Sequence, residues 1–204
     1  MENREKGNTR QKIVQAAIEE FADHGFDGSR VSNIAKRAGV SQSLIYYNFP
    51  SKEAILNEIL EEFSQSFIEH LSTTYPDDLE ASDPVRLRET EFRNSLIYIL
   101  GKRKEISILL MQALRRGQDN KRMVTVWNEI NKKVRAEILS QRGYQANRTQ
   151  DLNQKVIDYF FIFIPYTMFG VLGDEWIHEN GLNVEETNNT LIKVFKGIYD
   201  TYLK

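Results

Sequence analysis

Apolar residues along this 204-residue chain recur every three or four positions, and no stretch alternates as a strand would, so the pattern predicts helices throughout. Ile13, Ala17 and Phe21 share one face of a first helix, expected from a Thr9 cap to about His24, with Gly25 as its stop. Two short helices fit residues 30–48. From Ser51 a long helix follows, with Ile55, Ile59, Phe63, Phe67 and Leu71 stepping along one face. The stretch TYPDDLEASDP, Thr74–Pro84, is acidic and turn-rich and reads as a loop. Amphipathic segments then fit 84–101, 103–116, 119–141, 149–173 and 184–203. Gly101, Gly117, RGYQANR (142–148) and ENGLN (179–183) separate them. The fold class is all-α, with a natural division near residue 50: an N-terminal three-helix domain over 1–50 and a larger helical bundle over 51–204.

The short pair, RVSNIAKRAGVSQSLIYYNFPSK (30–52), meets the demands of a helix-turn-helix residue by residue. Ala35 is small where the second helix must cross the first. Gly39 stands where the chain turns abruptly and needs access to positive φ. Ile34, Ala38, Val40 and Ile45 bind the pair together, and Ser41 is placed to cap the second helix. That second helix, about Ser41 to Asn48, is the reader. Ile45 and Phe49 face inward, while Gln42, Ser43 and Tyr46 lie opposite, with Leu44 at the border. Gln42 suits adenine, Ser43 bonds either way, and Leu44 suits a thymine methyl. Tyr47 and Asn48 can add neutral bonds to the sugar-phosphate backbone. Lys52 opens the next helix, beside free N–H groups that attract phosphate. With Arg30, Ser32 and the capping Ser41, these form the candidate DNA-binding set.

Charge sharpens this. The chain carries net charge −2, yet residues 1–52 hold 8 Lys+Arg against 6 Asp+Glu, and the remainder 19 against 23. Gly28 to Lys52 has four cations (Arg30, Lys36, Arg37, Lys52) and no carboxylate. A small basic stretch in an acidic chain is compatible with phosphate binding.

From Phe21 to Leu56 the chain resembles the DNA-binding domain of TetR-family transcriptional regulators. The shared pattern runs from an aromatic-small-x-x-Gly-aromatic phrase (Phe21 to Phe26) through Ile34-Ala35, Ala38-Gly39-Val40-Ser41, Tyr46-Tyr47 and Phe49 to Ser51-Lys52-Glu53. Close likeness covers about residues 10–60, and the rest matches in helix count. The chain departs from the pattern at Asn48, where the family usually has His, and at Leu44, where it usually has a small polar residue. Arg30 stands where a small hydroxyl residue often begins the first helix of the pair, so Ser29 is expected to cap and Arg30 to reach a phosphate.

The larger part is expected to hold the other partners. VIDYFFIFIPYTMFGVL (156–172) is apolar nearly all round a helix and must be buried on every side. The last helix carries a stripe of Leu191, Val194, Phe195, Ile198 and Tyr202. The resemblance implies that these two C-terminal helices form a homodimer interface, as two reading helices on successive half-sites require. It also implies a small-molecule effector in a pocket among the middle helices, with Phe63, Phe67, Tyr98, Met111, Trp127, Phe160, Phe163 and Tyr166 as candidates, each taken singly more readily plain core; their aromatic richness points to an apolar or aromatic ligand. Pro165 inside a helix is expected to kink it.

Zero cysteines exclude thiolate metal sites and disulfides. The charged start, MENREKGNTRQK, has no apolar signal region, and the 156–172 run is short and interrupted for a bilayer span, so the expectation is cytoplasmic with no membrane partner. Glu175 and His178 have the Glu-x-x-His spacing of di-iron bundles, which need two copies and two further Glu residues; no metal or cofactor is expected. His24 is read as a helix C-terminal residue favourable to the dipole. The sequence thus reads as a non-enzymatic regulator, a repressor on a palindromic double-stranded DNA operator released by its effector. A ligand-independent architectural or division factor of the same fold is the alternative, ahead of a helical-bundle enzyme.

Overall fold

The computed structural model describes residues 2–74, 84–114, 121–133 and 152–202, and every regular element among them is helical. In chain order these are α1 (Glu2–Gly28), α2 (Val31–Ala38), α3 (Gln42–Asn48), α4 (Lys52–Thr74), α5 (Pro84–Gly101), α6 (Arg103–Leu114), α7 (Lys121–Lys133) and α8 (Leu152–Val156). A π-helical stretch, Ile157–Phe163, leads into α9 (Ile164–Glu179), and α10 (Val184–Tyr202) follows. Residues 75–83 of the expected Thr74–Pro84 loop, Gly117 and the RGYQANR turn lie outside the described residues, while Thr74 ends α4 and Pro84 begins α5. Two compact units emerge: residues 1–64 with 107–126, and residues 65–106 with 127–204. The dividing points fall inside α4, α6 and α7, so continuous helices belong to both.

In the first unit, α1 begins well before Thr9, which is therefore helical rather than capping. Gly25 does interrupt it, at φ 68° and ψ 165°, a conformation that only glycine adopts without strain. Ile13, Ala17 and Phe21 are fully buried, and the Phe21 and Phe26 rings meet edge to face at 5.3 Å. Burying each such large side chain is worth about 1.5–3 kcal/mol, which is what holds these short helices against their ordering entropy. The α4 stripe, which runs on into the second unit at Phe67 and Leu71, is as expected: Ile55, Ile59, Phe63, Phe67 and Leu71 are all buried. Ser51 caps that helix by accepting a hydrogen bond from the Ala54 N–H at 3.2 Å.

In the second unit, α5 packs against α9 and α10. Tyr166, Phe92 and Phe195 form its aromatic centre, with Tyr166 and Phe195 rings 4.3 Å apart. The helix through Pro165 does not end at residue 173 but continues to Glu179, and Asp174 near its end forms a bidentate ion pair with Arg103. Proline is accommodated in the first turn of α9 because the preceding residues adopt π geometry, which shifts the hydrogen-bond register around its missing N–H. The continuous helix Ile157–Glu179 spans 23 residues and contains an 18-residue window of mean hydropathy 1.2, by length and composition enough to cross a membrane. It is not buried on every side. Phe163, Tyr166, Thr167, Gly170, Gly173 and Ile177 are buried, whereas Phe160, Phe161, Met168, Leu172 and Trp176 are exposed.

Candidate nucleic-acid interface

The turn between α2 and α3 is built as the sequence demands. Gly39 takes a left-handed conformation (φ 68°, ψ 32°), its N–H bonding the Lys36 carbonyl at 3.3 Å and the Val40 N–H bonding the Ala35 carbonyl at 3.0 Å. This pair of bonds closes the end of α2 as a Schellman motif. Ser41 then caps α3, its hydroxyl accepting from the Leu44 N–H at 3.2 Å. Ala35 and Ile45 are buried at the crossing.

The opposite face of α3 is open. Gln42 and Ser43 are exposed, as are Tyr46 (55 %) and Tyr47 (69 %), while Leu44 and Asn48 are half-buried. Two large aromatic rings projecting from a seven-residue helix free of carboxylates leave α3 ready to meet a polyanion. Ser43 lies 2.8 Å from the Ser41 hydroxyl, and the Asn48 amide turns back to the Leu44 carbonyl at 2.7 Å. Arg30 and Ser32 are exposed at the start of α2.

One expectation on this surface fails, and Lys52 has partners that the sequence did not indicate. Ser29 does not cap α2; it is buried, with its hydroxyl 2.9 Å from the Glu20 carbonyl and 2.6 Å from the Gly25 carbonyl. Arg30 occupies the cap position with no side-chain bond to the helix. Lys52 is not simply presented at the start of α4. Its ammonium donates to the Phe26 carbonyl at 2.6 Å and the Ser29 carbonyl at 2.9 Å, and sits 4.4 Å from the centre of the Phe26 ring. One of its three donors remains for a phosphate.

Arg37, though exposed, is likewise engaged within the protein. It binds Glu20 at 3.0 Å and Asp23 at 2.7 Å, so of the four cations between Gly28 and Lys52 two serve the fold and Arg30 and Lys36 stay exposed. Glu20, fully enclosed, also accepts from the Asn33 amide at 2.8 Å and stands 3.5 Å from His24. Burial alone raises the Glu20 carboxyl; the Asn33 bond, the His24 and Arg37 charges and the Arg30 N–H outweigh it and hold it below its usual range. His24 thus faces a carboxylate of its own helix rather than acting only on the dipole. The most elaborate unforeseen contact is that of Arg10, which forks onto both Glu58 oxygens at 2.9 and 2.8 Å, donates to the Asn48 carbonyl at 2.8 Å and lies 4.1 Å over the Phe49 ring. No local pattern betrays partners 38 and 48 positions away.

Residues 13–59 match the family model of bacterial regulatory proteins of the tetR family. This segment is thus of the tetR type. The chain is 37% identical over 76 residues to the fatty acid metabolism regulator protein of Bacillus subtilis, an alignment covering 37% of this chain and 39% of that protein. It is 42% identical over 53 residues to the transcriptional regulator RutR of Escherichia coli, covering 26% and 25% of the two. In fold the tetR likeness extends much further. The crystal structure of FadR from Bacillus subtilis in complex with stearoyl-CoA aligns with a TM-score of 0.65 at 18% identity, over 91% of this chain and 96% of that one. Salmonella enterica GusR aligns with a TM-score of 0.65 at 21% identity, over 93% and 94%. The sequence alignments thus span well under half of the curated relatives, while the tetR fold accounts for nearly the whole chain.

The eight residues expected to line an effector pocket are distributed over both units: Phe63 and Met111 in the first, the other six in the second. Phe67 packs on Tyr98 at 4.8 Å, and Trp127 stacks on Phe163 at 4.3 Å with Tyr159 beside them. Phe63, Phe67, Tyr98, Phe163 and Tyr166 are core, whereas Phe160 is 59 % exposed. Two surface hollows, of about 540 Å³ between α1 and α2 and about 410 Å³ along α10, include none of the eight. Burial pushes the Tyr98 hydroxyl up to about 12, the Ser66 hydrogen bond opposing and the Glu105 charge adding to it. The same cause raises Tyr166, whose hydroxyl donates to the Phe92 carbonyl at 3.4 Å. Glu175 and His178 are both exposed, and the near carboxylate to His178 is Glu179, at 3.7 Å.

Proposed function

We propose that this protein is a cytoplasmic, homodimeric transcriptional repressor that binds a palindromic operator through α3 and is released by an apolar small molecule held in its larger helical part. The observation that carries the reading is the carboxylate-free α3, capped by Ser41, fixed at Gly39 and presenting Gln42, Ser43, Tyr46 and Tyr47 to solvent. Residues 1–50 then form the DNA-binding domain and 51–204 the effector and dimerisation domain. Within the latter, the exposed stripe Met168, Leu172 and Trp176 on α9, with Val194 on α10, supports self-association. The effector class is supported by the aromatic clusters around Tyr98 and Phe163, by a Bacillus subtilis relative named for fatty acid metabolism, and by the like-folded FadR solved in complex with stearoyl-CoA.

The deciding experiment is selection of duplexes from a random-sequence library, followed by affinity measurement with and without a long-chain acyl-CoA. A palindromic consensus is expected, with Gln42→Ala losing discrimination at one position of each half-site by about 1–3 kcal/mol. The acyl-CoA is expected to weaken binding, to the extent that it prefers the non-binding state. Recovery of no consensus sinks the operator reading. A consensus indifferent to any apolar ligand that binds the protein favours the ligand-independent architectural factor.

A further inference from the structure

We propose that Arg10 is a positioning residue for DNA recognition, a four-point lock that sets the angle of α3 without touching the nucleic acid; this rests on the proposed role of α3 as reader. A seven-residue helix has about two turns of its own hydrogen bonds, too few to hold an orientation by itself. Its N-terminal end is fixed by the Gly39 turn and the Ser41 cap. Its C-terminal end has no such motif: Phe49 is extended (φ −138°, ψ 119°), and the last carbonyls need partners from elsewhere.

Arg10 supplies one. One nitrogen donates to the Asn48 carbonyl at 2.8 Å, a cation at the negative end of the helix dipole. The guanidinium plane covers Phe49, the residue that ends α3, at 4.1 Å. Its remaining edge is forked by Glu58, which projects from α4 two turns beyond the point where that helix starts. Arg10 thus joins α1, the end of α3 and α4. Glu58 and Glu62 both strengthen its charged state, the Glu58 hydrogen bond being the largest influence on a group whose pKa lies above its ordinary value.

Lys52 repeats the device at the other side of the pair, with Phe26 as its ring and the Phe26 and Ser29 carbonyls as acceptors. The geometry of the fork sets Arg10 apart. A lysine there has one ammonium and cannot be bidentate to Glu58, planar on Phe49 and bonded to Asn48 together. All three nitrogens of Arg10 donate within the protein, and its charge is matched by the Glu58 carboxylate rather than by phosphate.

Arg10→Gln, Arg10→Lys and Glu58→Gln separate the roles in the full-length protein. The probes are the duplex selected by the wild-type protein from a random library and a scrambled duplex of equal length, titrated over a salt series. Amide exchange across residues 42–49 is measured alongside. Arg10→Gln and Glu58→Gln are each expected to reduce the selected-to-scrambled affinity ratio by about tenfold, the scale of one lost base contact. The salt slope should not change, exchange at Tyr47, Asn48 and Phe49 should quicken, and exchange in the α1 core should not. Arg10→Lys, which keeps the charge, is expected to rescue little of the ratio.

The proposal is overturned if Arg10→Gln flattens the salt slope by about one unit and Arg10→Lys restores binding, the signature of a phosphate contact. Stronger DNA binding by Glu58→Gln, which releases the guanidinium, overturns it equally. If the wild-type protein selects no duplex, the operator reading fails, and unchanged exchange at Tyr47–Phe49 in Arg10→Gln then overturns the lock on its own.

Discussion

Glu20 is the most enclosed carboxylate among the described residues, and its partners come from three directions: Asn33 and Arg37 on α2, His24 on its own helix, and the Arg30 N–H at the start of α2. It stands at the N-terminus of a helix with no acidic residue in its first turn, so α1 lends α2 the negative charge its dipole favours. Its folded pKa lies below the ordinary carboxylate value, so the folded protein binds that proton less readily than the unfolded chain does. The stability it contributes is therefore present above about pH 4.3, where an unfolded Glu titrates, and is lost as pH falls through the depressed folded value. Glu20→Gln is expected to cost about 1–3 kcal/mol at pH 7, because it weakens a buried acceptor shared by several donors. The difference from wild type in urea midpoint should shrink steadily below about pH 4; a constant difference down to pH 3 shows that the charge is not what matters. Residue-scale features of this kind divide cleanly by legibility. Gly39 and Ser41 could be read because their tasks are local, a positive φ and a cap three residues from its donor. Glu20 and Arg10 could not, since their side-chain hydrogen-bond partners lie 13 to 48 positions away.

At the scale of elements, periodicity finds nearly all the helices, because each has one buried stripe, and it fails where a boundary depends on tertiary support. Thr9 has the chemistry of a cap, but α1 continues upstream of it. The segment expected over 149–173 stops short, since α9 continues to Glu179 while Ile177 buries and Asp174 pairs with Arg103. Gly170 and Gly173 explain the difference. They are in α9 for space, not for breaking: a Cβ on Gly170 collides with the Ile99 side chain of α5, and one on Gly173 presses on Phe169 at 3.0 Å. The close α5–α9 approach thus depends on a missing methyl. Gly170→Ala is expected to destabilise by about 1–3 kcal/mol through overpacking, despite alanine's higher helix propensity. Ile99→Ala opens a cavity and costs about 2–5 kcal/mol alone. Because the methyl added at position 170 then fills space vacated by Ile99, the double variant should be more stable than the sum of the two, by upward of about 0.5 kcal/mol in thermal or urea unfolding. Strict additivity places the clash elsewhere.

For the whole molecule the open question is what covers the apolar face of α9. Met168, Leu172 and Trp176 fall within a quarter turn of one another and are 41 %, 53 % and 53 % exposed, with Val194 of α10 also 53 % exposed. Single exposed apolar residues are ordinary, but a stripe about two turns long ending in tryptophan marks an interaction site. The sequence could show that this helix is apolar all round; it could not show which side its own fold covers, since that depends on α5 and α10 meeting the Tyr166 face. A second copy is the occupant that the proposed palindromic operator needs, and a two-fold interface repeats each substitution on both subunits. Leu172→Glu with Trp176→Glu therefore sets four carboxylates into one apolar seam, at several kcal/mol of desolvation and repulsion. The expected result is a folded monomer by sedimentation at micromolar concentration, with unchanged helical circular dichroism. Affinity for the selected duplex should fall by at least about a hundredfold, because the second half-site no longer binds at the high effective concentration of a linked partner. Ile97→Glu changes an equally exposed residue on α5 and should leave both measurements as they were. A double variant that still sediments as a dimer assigns the stripe to another partner, and the operator would then have to be read by subunits joined through a different face.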